Sequence, residues 1–229
     1  MKRYLPLLSA CPLFDRITAD DLMRMLACLR AQIVNFARDQ AILHQGDPAG
    51  RFGVVLSGCA HIVSSDISGN RAIISAVHAS DLFAETFACA GVPSLPVSVV
   101  AAEDSALLLL DHSRVIAGCR NGCMAHSILI TNLMRIIAQK NLLLNQKLGF
   151  VTQRTTRDKL MAYLTAQEKH AGSSCFLIPF DRQALADYLC VERSALSAEI
   201  GKLKKAGVIA CRKNEFEILL PTLHEQRDQ

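Results

Sequence analysis

A helix-turn-helix pattern running from Asp181 to Ile200 constrains this chain more than any other stretch. Asp181 is placed to cap a first helix that buries Leu185 and Leu189, with small Ala186 where a second helix must approach closely. A short turn falls at Cys190-Val191. In the helix that follows, at about 100° per residue, Leu196, Ile200 and Leu203 share one side and Arg193, Ser194, Ser197 and Ala198 the other. A small, polar outer face led by an arginine near the helix N-terminus suits the major groove of DNA. An ordinary amphipathic hairpin with a solvated face fits the same residues, because a helix-turn-helix pattern alone recurs by chance.

The residues downstream favour DNA. From Gly207 to Leu219 the chain reads as two strands with a turn at Lys213-Asn214, a wing directly after the proposed reading helix. The net charge of the whole chain is only +4, but from Arg193 to Lys213 six basic residues stand against a single acid, Glu199. Positive charge there is where phosphate contacts help most, although lysines at a helix end also complement the macrodipole. The expected DNA-contacting set is Arg182, Gln183, Arg193, Ser194, Ser197, Ala198, Lys202, Lys204, Arg212 and Lys213.

At 229 residues and 51% hydrophobic content the chain can bury two small cores. Nine cysteines, an odd number with no paired C-x-x-C spacing, fit reduced and mostly buried thiols rather than a disulfide framework. No apolar run reaches the roughly 18 residues of a bilayer span, and the N-terminus lacks the texture of a signal peptide, so no membrane association and a cytoplasmic location are expected. No nucleophile elbow, P-loop, H-E-x-x-H or clustered carboxylates occur. An enzyme is therefore not expected; a metabolite-binding barrel or enzyme with a protein-contact module remains the alternative from another class.

Residues 5–30 read as short helices, with a capping pattern at Thr18-Ala19-Asp20-Asp21. From Ile33 to Leu110 short β-like runs alternate with turn residues (Gly46-Asp47-Pro48, Ser57-Gly58, Ser68-Gly69-Asn70 and Gly91-Val92-Pro93), the texture of an antiparallel barrel or roll. Residues 124–149 form a long apolar helix on which Ile130, Leu133, Ile137, Leu144 and Leu148 recur at spacings of three, four and seven, interrupted by Lys140 and Asn141. That period is the period of a coiled-coil contact, and these five residues are the expected homodimer seam. A buried helix packed on its own barrel would carry the same stripe. The expected domains are 1–123, a sensor roll with N-terminal helices; 124–152, the long helix and hinge; and 153–229, the winged helix-turn-helix. The fold class is α+β.

This order of parts resembles the Crp/Fnr superfamily of bacterial transcription regulators. The likeness is carried by Gly46-Asp47, Leu56-Ser57-Gly58, the run Ser80 to Glu85, and Arg193-Ser194-Ala195-Leu196-Ser197. It implies an N-terminal cyclic-nucleotide-binding-like jelly roll that senses a signal, a dimer through the long helices, and two reading helices on a palindromic operator in double-stranded DNA. RNA polymerase is a further partner that the resemblance implies. Arg193 matches the family arginine that reads a guanine, the commonest specific contact in the major groove. Ser194 and Ala198 stand where cyclic-AMP-responsive members carry a glutamate and a second arginine, so the operator should differ from theirs.

The nucleotide pocket departs from the family pattern. Glu85 matches the glutamate of the glycine-glutamate pair, but Ala84 replaces the glycine. Where an arginine-serine pair would hold the phosphate, this chain reads Ser94-Leu95-Pro96-Val97 and offers no cation. A buried phosphate with no positive partner carries a large desolvation penalty. Leu144-Asn145 stand where nucleotide-binding members place hydroxyls on the adenine. Cyclic AMP is therefore not the expected effector and no cofactor is required; the effector is an unidentified small molecule, and Phe83, Glu85, Thr86, Leu95, Val97, Leu144 and Asn145 are the residues expected around it. Two cysteines near the N-terminus, Cys11 and Cys28, are too few for an iron–sulfur cluster, and His61 and His78 are isolated histidines. The tightest constellation for metal or redox sensing is Cys119, Cys123 and His126, at i, i+4 and i+7, three ligands without a fourth. A redox- or metal-sensing regulator of the same fold using these three is the second reading.

Overall fold

A computed structural model describes residues 2–65, 71–118 and 123–219, so the Ser68-Gly69-Asn70 turn and Cys119 fall outside the described residues. Contacts divide the chain into two units, Met1–Gln139 and Lys140–Gln229.

The first unit opens with two short helices, α1 (Leu5–Ala10) and α2 (Ala19–Cys28). Thr18 starts α2 in the expected way: its hydroxyl accepts a bond from Asp21 N at 3.2 Å and satisfies one of the orphan donors of the first turn. Eight strands follow: β1 (Gln32–Phe36), β2 (Ala41–Leu43), β3 (Arg51–Ser57), β4 (Cys59–Ser65), β5 (Arg71–His78), β6 (Leu82–Phe83), β7 (Ser98–Ala101) and β8 (Ser105–Asp111). They form two antiparallel four-stranded sheets, in the orders β1-β8-β3-β6 and β2-β7-β4-β5. A short helix, α3 (Glu85–Ala90), lies between β6 and β7, and another, α4 (His112–Ala117), follows β8. β3 lies inside its sheet and buries Phe52, Val54, Val55 and Leu56. Gly53 is required there because any Cβ would collide with the ring of Phe83 on β6. At Gly58, φ is +83° and a Cβ would stand 2.7 Å from Asp104 O, so the turn between β3 and β4 admits only glycine.

The long helix α5 spans Met124–Val151 without interruption. Ala125, Leu129, Leu133 and Ile136 point into the core of the first unit alongside Leu8, Leu13, Phe14 and Leu26. Leu133 is 2% exposed, which corrects its expected place in an outward seam. Its spacing to Ile130 and Ile137 also satisfies a stripe facing the roll, and the roll's apolar surface claims it. Asn132, buried beside it, donates to the carbonyls of Leu13 and Asp15 at 3.1 and 2.8 Å, fastening the helix to the N-terminal segment.

In the second unit α6 (Thr156–Ala171) is capped by Thr155 and ends at Gly172, whose φ of +64° stops the helix in a left-handed turn. β9 (Cys175–Leu177) leads to α7 (Arg182–Tyr188) and α8 (Arg193–Lys205), and β10 (Ile209–Arg212) and β11 (Glu215–Ile218) close a sheet in the order β10-β11-β9. Leu160, Leu164, Leu185, Leu189, Leu196, Leu203 and Phe216 fill the core. A ring cluster of Phe150, Tyr163, Phe180 and Tyr188 adjoins it, with Phe150 edge-on to Tyr163 at 5.6 Å.

Candidate nucleic-acid interface

The reading helix is positioned from both ends. Asp181 caps α7 through its carboxylate, which accepts from Ala184 N at 2.8 Å. Cys190 takes a left-handed φ of 53°, and Val191 N bonds to Ala186 O at 3.0 Å, which closes the turn between the helices. Packing then orients α8. Leu196, Ile200 and Leu203 are buried in the unit's core, while Arg193, Ser194, Ser197 and Ala198 are all exposed. The amphipathic division read from the sequence is thus realised, and the exposed face is flat apart from Arg193 at the N-terminus. A face of small side chains lets a helix enter a groove about 12 Å wide without steric conflict.

The basic residues around it divide into two groups. Lys202 Nζ, exposed, lies 3.1 Å from Oε2 of the half-buried Glu199 one turn away. Lys204 Nζ donates to Cys211 O at 3.1 Å and so ties α8 to β10. The guanidinium of Arg182 sits 5.7 Å above the ring of Phe216, and Gln183 Nε2 donates to Asp187 Oδ1 at 2.9 Å. These four of the expected contacting residues therefore have partners within the unit. Arg193, Arg212 and Lys213 are exposed and are in no ion pair among the described residues. Lys213 occupies the wing turn at φ 56°, where register Arg212↔Glu215 leaves a two-residue loop, and Asn214 anchors that loop by donating to Ile178 O at 3.2 Å.

In the roll, Phe83, Leu95 and Val97 are core residues, and Glu85 is buried at the first turn of α3, beside the exposed Thr86 whose hydroxyl donates to it at 3.3 Å. Ala84 holds the left-handed conformation, φ 61°, at the position where the family pattern has glycine. Leu95 is fixed by two backbone bonds to the Gly46-Asp47 turn, each 2.8 Å. No lysine or arginine occurs between Arg71 and Arg114, so neither α3 nor the strands on either side of it contribute a cation. Leu144 and Asn145 are exposed on the second half of α5, in the other unit.

Cys123 precedes the first residue of α5, and its Sγ is 3.4 Å from His126 Nδ1. His126 is buried, its Nε2 has no partner among the described residues, and burial pulls its pKa below the ordinary 6.5. Among the described residues no group of three His, Cys, Asp or Glu could hold a metal ion.

Sequence reasoning overlooked Met134 on α5 and took Asn141 for an interruption of the seam. Met134 is 67% exposed and forms an outward row with Asn141, Leu144 and Leu148, at spacings of seven, three and four, while Ile130 and Ile137 are partly buried against the core of the first unit. A strict heptad count forward from Ile130 would have found both residues.

Two families match the chain: the cyclic nucleotide-binding domain over residues 33–121 and the Crp-like helix-turn-helix domain over residues 158–223. Among solved structures, DNR from Pseudomonas aeruginosa is 23% identical, the match covering 96% of each chain with a TM-score of 0.51. Its sensor domain by itself is 19% identical, covering 67% of this chain and 97% of that one with a TM-score of 0.53. The c-di-GMP responsive global regulator CLP of Xanthomonas campestris is 16% identical, covering 89% of this chain and 100% of that one with a TM-score of 0.52. At these identities the shared property is the fold. No curated protein matches the chain in sequence.

Proposed function

The chain belongs to the Crp/Fnr superfamily of transcription regulators, with a cyclic nucleotide-binding domain ahead of a Crp-like helix-turn-helix, and from that premise we propose a homodimer that reads a palindromic operator through Arg193. One observation carries this reading. α8 buries Leu196, Ile200 and Leu203 and leaves an exposed face of Ser194, Ser197 and Ala198 headed by an arginine with no ion pair among the described residues. Arg212 and Lys213 on the wing supply attraction to the backbone phosphates, which positions the helix without reading sequence. The effector of the roll is a small molecule other than cyclic AMP, because Ser94-Leu95-Pro96-Val97, where the family pattern has an arginine-serine pair, offers no cation to a phosphate. Selection from a randomised duplex library with the full chain tests the reading. It should enrich an inverted repeat whose half-sites are separated by about one helical turn, or a multiple of it. Enrichment of a single unrepeated site, or none at all, would refute it.

The contact between Cys123 Sγ and His126 Nδ1 favours a second reading, control by thiol oxidation at the start of α5. Under it, peroxide treatment weakens operator binding, a thiol reductant restores it, and Cys123→Ser is insensitive. Operator binding that ignores peroxide in the wild type removes this reading.

A further inference from the structure

Three arginines from three separate elements line one cleft of about 230 Å³ on the first unit: Arg30 just after α2, Arg51 at the start of β3 and Arg114 in α4. Gln32 and Asp111 complete its polar lining, over a floor of Leu29, Leu109 and Leu110. Among the described residues none of the three guanidinium groups is in an ion pair. Asp111, the one carboxylate present, is committed elsewhere: its Oδ1 accepts from both the backbone N and the hydroxyl of Ser113, capping α4. Those bonds, together with the Arg114 charge, keep its carboxyl below the usual range. Three guanidinium charges against one carboxylate leave an excess of two positive charges around the cleft.

Like charges brought together at one cleft repel, and an anion between them relieves that repulsion. Guanidinium suits the role better than ammonium, being weakly hydrated and presenting paired donors that match phosphoryl and carboxylate oxygens. The position also contrasts with residues 72–113, a stretch with no lysine or arginine. The volume lies below the roughly 300–1,000 Å³ of sites for drug-sized ligands, which disfavours a nucleotide. We infer that the Arg30, Arg51 and Arg114 cleft binds a small polyanion, a compact phosphoryl or polycarboxylate compound. This inference rests on the reading of the first unit as the sensing domain, and it assigns that domain a ligand class and a place.

The test is calorimetric titration of the full chain with pyrophosphate and with citrate at constant ionic strength. Saturable binding of pyrophosphate alone identifies a phosphoryl ligand, of citrate alone a polycarboxylate, and of both a site selective for charge number; each supports the cleft. Arg51→Gln and Arg114→Gln should each weaken that binding about ten-fold or more, the weight of one charge-assisted contact, and Arg51→Lys should retain part of it. Absence of saturable binding by either anion, or affinity undiminished in the double Arg51→Gln/Arg114→Gln variant, overturns the inference. The titration needs no DNA. Failure here leaves operator recognition standing, and failure of operator binding beside an intact titration points to the reading helix instead.

Discussion

One peptide bond separates Leu133, 2% exposed against the core of the first unit, from Met134, 67% exposed on the opposite flank of α5. The helix thus carries two apolar stripes. One is consumed by the roll; the other continues through Leu144 and Leu148, 59% and 48% exposed, and no described residue covers it. Exposed leucines in such a row mark a contact surface. Asn141, at the same heptad phase, would fix the register of two paired helices at some cost in stability.

Replacing both Met134 and Leu144 with Asp should therefore convert a dimer to a monomer in sedimentation velocity while leaving the circular dichroism spectrum unchanged. Each side chain lost from such a seam removes about 1.5–3 kcal/mol of burial per helix. Leu133→Asp should behave differently and unfold the first unit, because its site is internal. A Met134→Asp/Leu144→Asp protein that remains a dimer would place the interface elsewhere.

Cyclic AMP should bind no more tightly than about millimolar in calorimetry, since a phosphate at Ser94-Leu95-Pro96-Val97 would lose water without gaining a cation from that segment. Micromolar affinity would mean that a basic residue outside the Ala72–Ser113 stretch reaches the phosphate, and the assignment of the roll would have to change.

His126 makes stability depend on pH. Burial holds its folded pKa below the ordinary 6.5, so between the two values the unfolded chain binds the extra proton. The contribution of the neutral imidazole is present above the unfolded pKa and is lost as pH falls through the folded one. Urea midpoints should decline from about pH 7.5 to about pH 5.5 in the wild type, and His126→Gln should remove much of that slope. An equal slope in the variant would assign the titration to another group.

Legibility from sequence followed locality. Thr18 as a cap, Asp181 as a cap, the strands around Val54, Ile62 and Leu108 and the wing turn at Lys213 all depend on neighbours a few residues away, and each stands where the residue pattern put it. The two faces of α8 were legible for the same reason, since the side each residue takes follows from a step of about 100° per residue along one helix. What escaped depends on distant chain. A stripe of spacing three and four on α5 cannot tell which of Leu133 and Met134 meets the roll; the sheets and N-terminal helices decide that. The bond from Lys204 to Cys211 O, seven residues on, was not legible because it depends on the wing folding back beside α8. The arginines at 30, 51 and 114 come together only through the pairing of β8 with β1 and β3.

Competition binding of Arg193→Ala over a randomised half-site library is the decisive measurement for operator reading. The variant should lose about 1–3 kcal/mol on the best site and lose discrimination at one base pair in each half-site. Lys213→Ala should instead weaken all sequences alike and lower the salt slope by about one unit per subunit. Unchanged base preferences in Arg193→Ala would contradict the account and remove α8 from the major groove.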